Sequence, residues 1–215
     1  MAFSHNPKIV TDGLVVCLDA GDKNSYPGSG ATWTDLSPNR SECTLYNSPT
    51  FSKDHFIFDG TNSVSIDEFQ TQTGVNQYTW NLWVKSPSSV TSYDMIMSTD
   101  YSYLYLSFYQ NKITFDSNIT GVDRFFDYTA NTWYHLVVCV DGVANTTKCY
   151  VNVSEEHSDV AADTLDGHRL WLGQWYNNQH RLTGGNIGPV QIYNRALPVE
   201  EVLQNYNAQK ERFGF

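Results

Sequence analysis

The acidic side chains are the first candidates for chemistry, because two carboxylates can act as general acid and general base in hydrolysis. Such a pair must point into one cleft, which on a strand requires alternate positions. Glu155 and Glu156 are adjacent and would point to opposite faces, while Asp163 and Asp166 fall in a predicted loop. We find no Ser/His/Asp or Cys/His arrangement, and the six histidines are scattered along the chain. The sequence therefore predicts a protein that is not an enzyme.

A second group of side chains carries oxygen ligands that calcium accepts. Asp59 and Asn62 flank a turn, and Asp19 ends the first predicted strand, so the three are candidates for a calcium site. The alternative is that Asp59 accepts hydrogen bonds from its own Asp-Gly turn. Both interpretations stay open, and calcium is the one cofactor that the sequence suggests.

The segment 101–109 alternates between tyrosine and other residues, which on a strand separates two faces. If the apolar face fills the core, the tyrosines stand on the outer surface of a sheet. Their flat, amphipathic rings suit contacts with sugars or proteins, although cross-strand aromatic pairs can equally stabilise the sheet itself. The apolar face comprises Leu104, Leu106 and Phe108, and the tyrosine face comprises Tyr101, Tyr103, Tyr105 and Tyr109.

A second aromatic segment follows the predicted strand that contains Trp171 and Leu172. Residues 174–181 form a polar loop that carries Trp175, Tyr176 and Asn178 among Gln, His and Arg. In a glycan site the rings would stack on a sugar face while amides hold its hydroxyl groups. The alternative is that Trp175 folds back onto the sheet edge, because large apolar groups favour burial.

Period-two patterns dominate the rest of the chain and predict the elements that position these residues. Residues 78–85 alternate between apolar and polar side chains, and residues 134–140 form an apolar run typical of a central strand. Many short strands without interleaved helices predict an all-β fold, a two-sheet antiparallel jelly-roll sandwich. We find no linker or repeat, so residues 1–215 are taken as a single domain.

One short C-terminal helix completes the predicted fold. Pro198 suits the first helical position, and Glu200 and Glu201 suit the first turn, where the helix dipole favours acids. An apolar stripe at helical spacing would pack on the sandwich. Its members are Val199, Val202, Leu203 and Tyr206.

The charge of the chain limits its partners. The formal net charge is −10, which disfavours nucleic acid, anionic membranes and anionic polysaccharides unless divalent cations bridge them. No apolar run is long enough for membrane insertion, and the first residues lack a secretory signal, so synthesis in a cytoplasm is expected. The cysteines are therefore expected to be reduced and buried. A disulfide between Cys139 and Cys149, across a predicted hairpin, is left open.

Several motifs, taken in order, resemble the concanavalin A-like lectin/glucanase superfamily, in its laminin-G-like jelly-roll branch. This chain carries LDAG and SYPGSG near its start and IYNRAL near its end. In these motifs it is similar to stand-alone domains of tailed, especially marine, bacteriophages, where such domains are virion structural or accessory proteins. The motifs are GLVVCLDAG at 13–21, FDGTN at 58–62, TWYHLVV at 132–138, YVN at 150–152, GNIG at 185–188 and IYNRAL at 192–197.

This resemblance implies two antiparallel sheets, recognition of carbohydrate or protein, and often a bound calcium ion. The chain departs from the pattern at Asn62 and Ser63, where relatives commonly carry acids, and at Gly188 and Pro189, where many carry an Asp. Both departures weaken the expectation of calcium.

The expected function is that of a non-catalytic virion accessory protein on the virion surface, decorating the capsid or forming part of a tail or fibre. It would bind virion structural proteins, with host or environmental glycans as further ligands. A free lectin-like module is the alternative, and a glycoside hydrolase is the third hypothesis. The expected glycan-binding residues are Trp175, Tyr176, Asn178, Tyr101, Tyr103 and Tyr105.

Overall fold

The computed structural model describes residues 8–67, 76–100, 104–117, 122–161 and 169–215. The α-helix, α1, spans Val199–Gln209 and continues into a 3₁₀ turn at Lys210–Phe213. The strands are β1 Leu14–Leu18, β2 Glu42–Tyr46, β3 Thr50–Ser52, β4 His55–Asp59, β5 Ser63–Asp67, β6 Gln77–Lys85, β7 Tyr93–Thr99, β8 Leu104–Tyr109, β9 Lys112–Ser117, β10 Val122–Asp127, β11 Trp133–Asp141, β12 Thr146–Val151, β13 Ser154–Asp159, β14 Arg169–Leu172 and β15 Thr183–Tyr193.

Within the described residues these strands form two antiparallel sheets. The eight-stranded sheet has the order β13-β12-β11-β6-β15-β4-β3, and β1 also pairs with β15. The seven-stranded sheet has the order β10-β9-β8-β7-β14-β5-β2. The prediction of an all-β, two-sheet antiparallel jelly-roll sandwich with one short C-terminal helix is confirmed.

The hydrophobic core lies between the sheets, and strict alternation along the strands fills it. On β6 the residues predicted to share one face are all buried in this core, and on β8 the leucines and Phe108 also point inward. These inward residues are Tyr78, Trp80, Leu82 and Val84 on β6, and Leu104, Leu106 and Phe108 on β8.

Helix α1 covers the outer face of the eight-stranded sheet, but not with the predicted stripe. Val199 and Leu203 are each 44% exposed, whereas the helix buries Val202, Asn205 and Gln209. The prediction was wrong at these two positions because the helix turns Val202 and Asn205 toward the sheet, where Val202 packs with Val137 and Tyr193. The Asn205 amide accepts a hydrogen bond from the Val10 N–H (2.8 Å) and donates one to the Tyr193 hydroxyl (3.0 Å).

The end of the chain fastens the helix to the sheet. The Trp83 ring stacks on Phe213, with centroids 4.4 Å apart, and on Tyr206 at 5.7 Å. The Arg212 guanidinium makes two hydrogen bonds to the Asp19 carboxylate, at 2.6 and 2.8 Å. The C-terminal segment is therefore integrated with the sandwich through both stacking and charge.

The cysteines are free thiols, and the strand register explains why. Cys139 on β11 lies opposite Lys148, while Cys149 on β12 lies opposite Val138. The two sulfurs therefore point to opposite faces of the sheet, which excludes the cross-strand disulfide between Cys139 and Cys149. In the described part of the chain, no helix has the length and apolar character needed to cross a membrane.

Candidate functional site

The loop after β14, residues 173–182, folds over the outer face of the seven-stranded sheet. Backbone hydrogen bonds hold it there, from the Gly173 N–H to the Ile96 carbonyl (3.1 Å) and from the Met95 N–H to the His180 carbonyl (2.9 Å). Gly173 has a φ of +78°, and a side chain at this position would collide with the Phe58 ring. The loop is thus fixed at both ends by the strands beneath it.

Trp175 holds this loop on the sheet. Its partly buried ring lies 5.9 Å from Tyr105 and 5.3 Å from His180. The structure therefore favours the alternative in which Trp175 folds back, and it leaves Tyr176, which is 45% exposed, facing solvent. Trp175 supports the surface on which Tyr176 stands.

The tyrosine face of β8 is packed rather than open where the structure describes it. Tyr105 is buried, and this burial, together with the nearby Asp116, raises the pKa of its phenol well above the usual range. Tyr109 stacks on Tyr93 with centroids 4.1 Å apart. These contacts are the cross-strand aromatic pairs of the alternative interpretation. Tyr101 and Tyr103 lie outside the described residues.

Beside the loop, two pockets of about 360 and 350 Å³ share Trp171 and Tyr176 as lining residues. Together they form one surface depression, which we name the Trp171 groove. Each volume is within the usual range for small-ligand sites. The groove is lined by Tyr46, Asn47, Ser63, Asp100, Arg169, Trp171, Gln174, Tyr176, Asn178 and Arg181.

Aromatic rings form the walls of the groove. Tyr46 is 40% exposed and lies 5.7 Å from the more buried Trp171 ring. The Trp171 indole N–H donates to the Asp100 carboxylate (2.5 Å), and the Arg169 guanidinium lies over the ring at 5.2 Å. Arg169 in turn pairs with Asp67 on β5. The groove thus has rigid, partly exposed rings whose orientation is fixed by charged neighbours.

Gln174 lies in the wall of the groove and is only 1% exposed. Among the described residues, neither its amide nitrogen nor its amide oxygen has a hydrogen-bond partner. In the part of the chain that the structure describes, it is the one side-chain amide with both of these atoms buried and unpaired. A buried amide without partners is destabilising, so its presence points to a group from outside the chain that satisfies it.

Asn178 and Arg181 close the groove at the end next to the β4–β5 turn. The Arg181 guanidinium donates to the Thr61 carbonyl (2.8 Å) and to the Asn178 amide oxygen (3.3 Å). Asn47 also donates to the Thr61 carbonyl (2.7 Å). The turn at Thr61 therefore positions polar side chains of the groove.

The residues proposed for calcium do not form one site. The Asp59 carboxylate accepts hydrogen bonds from the Thr61 N–H and hydroxyl, which lowers the pKa of Asp59, and the Asn62 amide oxygen accepts from the Asp59 N–H. Asp19, which follows β1, is instead paired with Arg212 from the C-terminal 3₁₀ turn. Within the described residues, no three His, Cys, Asp or Glu side chains cluster as metal ligands. Because these oxygens are engaged by the turn or by an arginine, the set does not fit calcium.

Sequence analysis placed Tyr176 and Asn178 correctly in the loop but missed the rest of the groove. Arg169 and Trp171 were assigned to a strand, and alternation along β14 puts both on its outer face, opposite the core residues Leu170 and Leu172. That signal could have identified them. Nothing local marks Tyr46, which strand order alone brings to this site.

The family model of Laminin_G_3, concanavalin A-like lectin/glucanases superfamily, matches residues 58–203. This match covers more than half of the chain, and the protein therefore belongs to this family. A search of curated protein sequences gave no match.

Solved structures share the fold at low sequence identity. A Trypanosoma rangeli sialidase mutant displaying trans-sialidase activity superposes with a TM-score of 0.74 at 14% identity, covering 96% of this chain and 34% of that one. The receptor binding domain of botulinum neurotoxin type G gives 0.69 at 16%, covering 92% and 52%. Domain 4 of AbnA, a GH43 extracellular arabinanase from Geobacillus stearothermophilus in complex with arabinotriose, gives 0.69 at 18%, covering 93% and 100%. The chain thus spans only a third to a half of the first two, and the likeness concerns the fold.

Proposed function

We propose that this protein is a carbohydrate-binding module that holds a short glycan in the Trp171 groove without cleaving it. The observation that carries the proposal is the buried Gln174 amide, whose donor and acceptor both lack partners among the described residues of the chain. A sugar hydroxyl can donate to the amide oxygen and accept from the amide nitrogen at the same time. Sugar hydroxyls are therefore well matched to this position.

The walls of the groove support the same ligand class. Tyr46 and Tyr176 expose amphipathic rings, which favour contact with the apolar face of a sugar while their hydroxyls stay hydrated. Domain 4 of the arabinanase, which has the same fold, was solved with arabinotriose. That likeness concerns the fold, so the choice of ligand class rests on the groove itself.

Binding without cleavage is supported by the state of the acids near the groove. Asp100 accepts the indole N–H of Trp171, and Asp67 is paired with Arg169. A glycosidase needs one carboxylate free to protonate the leaving oxygen and a second to act on the sugar. Both acids here orient binding residues instead.

We further propose a place on a virion surface, on the basis of the phage-like motifs; the end of one of them, Ala196 and Leu197 of IYNRAL, lines a second, separate pocket. A pocket of about 700 Å³ lies beside the start of α1 and is lined by Val153, Leu197 and Val199 among others. Val143, in the adjoining β11–β12 turn, is 87% exposed. A partly apolar surface on the eight-stranded sheet suits attachment to another protein, and it leaves the groove free. Co-sedimentation with purified capsids or tails tests this; a protein that stays in the supernatant contradicts it.

The test of glycan binding is a glycan array followed by calorimetry on the best ligand. Tyr176→Ala should weaken binding about tenfold, since ring stacking on a ligand is worth roughly 1–3 kcal/mol. Phe215→Ala is the matched control: Phe215 is 44% exposed, close to the 45% of Tyr176, but packs on Trp83 of the other sheet. It should bind normally. Absence of any glycan signal, or equal losses in both variants, contradicts the proposal.

A further inference from the structure

The two ends of the Trp171 groove differ in charge. At one end the Arg169 guanidinium is paired with Asp67, and Asp100 lies in the same pocket. At the other end stands Arg181. Among the described residues, its hydrogen-bond acceptors are the neutral oxygens of Thr61 and Asn178, and no carboxylate lies within ion-pair distance of it.

Arg181 is held in place without being neutralised. The two neutral acceptors fix the plane of the guanidinium, and the remaining N–H groups are left for a ligand in the groove. A guanidinium offers a planar fork of donors that matches a carboxylate or sulfate, and hydrogen bonds to such anions are roughly twice as strong as neutral ones. The buried Gln174 amide lines the same pocket and adds a donor to the site.

The overall charge of −10 does not cancel this local effect. At physiological ionic strength the Debye length is about 8 Å, so distant acids act weakly on a group in contact with Arg181. A long polyanion, in contrast, would extend over the acidic surface and meet repulsion along its length. The charge pattern therefore selects a ligand with an isolated negative group.

We propose that the groove recognises a glycan bearing a single anionic substituent, with that substituent bound at Arg181 and an adjoining neutral sugar next to Trp171 and Tyr176. The anion is a sugar carboxylate or a sulfate ester, which share the oxyanion chemistry that a guanidinium binds. This inference rests on the proposed glycan-binding function and specifies the ligand class.

The experiment compares pairs of glycans that differ in one anionic group, by array and then by calorimetry: 3′-sialyllactose against its sialyl methyl ester, and 6-sulfolactose against lactose. At least one anionic member should bind about tenfold tighter than its neutral partner, the effect expected of one charge-assisted hydrogen-bonded contact. The carboxylate and sulfate arms distinguish the two sources of the anion.

Arg181→Gln should bring the affinity ratio between the anionic and neutral members of a pair close to one, whatever it does to binding of the neutral partner. Arg40→Gln is the matched control, because Arg40 is an exposed arginine that donates to a neutral carbonyl, that of Asp35, away from the groove. It should keep the preference. Thermal unfolding of both variants checks that they fold.

The outcomes separate the two proposals. If neutral glycans bind as well as or better than their anionic partners, or if Arg181→Gln keeps the preference, the inference is overturned and the glycan-binding function stands. If no glycan of either kind binds, the glycan-binding function itself is overturned.

Discussion

The outer faces of the two sheets differ in how their buried polar groups are covered. On the eight-stranded sheet, helix α1 lies over the polar residues and Asn205 bonds both Val10 and Tyr193, although Gln191 Nε2 and Gln209 Oε1 have no partner among the described residues. On the seven-stranded sheet a loop covers only the middle, and both polar atoms of the Gln174 amide are without a partner among the described residues, beside an open groove. The comparison teaches that unpaired polar atoms alone do not distinguish the two faces; what distinguishes the groove is an amide with neither bond made, next to exposed aromatic rings.

The largest effect is expected where the helix is fastened. Trp83→Ala should lower the free energy of unfolding by about 3–5 kcal/mol, because it removes a fully buried ring that stacks on Phe213 and Tyr206. Glycan affinity of the folded variant should stay unchanged. Urea unfolding and calorimetry check the two quantities. A matching fall in affinity would mean that the faces are coupled.

A pH dependence should also arise from the covered face. His135 is fully buried between Asn81, Trp83 and Tyr206, and this burial lowers its pKa from 6.5 to about 3. Below about pH 6.5 the unfolded chain takes up a proton that the folded one refuses, so stability falls by about 1.4 kcal/mol per pH unit as the pH drops further.

The measurement is urea unfolding of wild type and His135→Gln between pH 4.5 and 6.5. Hydrogen bonds lower the pKa values of Asp59 and Asp141 from the ordinary value of 3.8. The stability that these two carboxylates contribute is therefore lost only below the pH range of this measurement. The variant should show a flatter profile. Parallel profiles would show that His135 is protonated in the folded state.

A smaller effect on the free energy of unfolding is expected when the same substitution, Gln to Met, is made on each of the two faces. Gln174→Met should raise the free energy of unfolding by about 1 kcal/mol, because it removes an unpaired buried amide, and should weaken glycan binding. Gln191→Met, the same change under the helix, should leave stability within about 1 kcal/mol of wild type, because the Asn81 amide N–H loses its acceptor (2.6 Å) while the unpaired Gln191 amide nitrogen is removed. Destabilisation by Gln174→Met would show that Gln174 also has a structural partner.

The smallest effect concerns the exposed side of the helix. Leu203→Gln should change stability by less than about 0.5 kcal/mol, since Leu203 is largely solvated, whereas Val202→Ala should destabilise by about 1 kcal/mol or more. Thermal and urea unfolding give both values. A large loss of stability in Leu203→Gln would instead show that Leu203 packs on the sheet, as the apolar stripe in the sequence predicts.

The sandwich was predictable because alternation on β6 and β8 records burial directly in the sequence. The docking face of α1 was predictable only in part: Val202 and Tyr206 do face the sheet, but Asn205 also docks there through its bond to Tyr193, and a polar helix residue leaves no signal in the apolar spacing. The groove was predictable only in its loop. Tyr46 and Trp171 are distant in sequence, and they meet because β5 lies between β2 and β14. Such a non-consecutive strand order leaves no local signal.

The hydrogen bond from the Val10 N–H to the Asn205 amide oxygen brings the first described segment of the chain onto helix α1, on the sheet opposite the groove. A scaffold fused after residue 215 would therefore present the groove outward, away from its support. Attachment of a bead, a sensor or a multivalent carrier at this end would therefore leave the groove facing the solution.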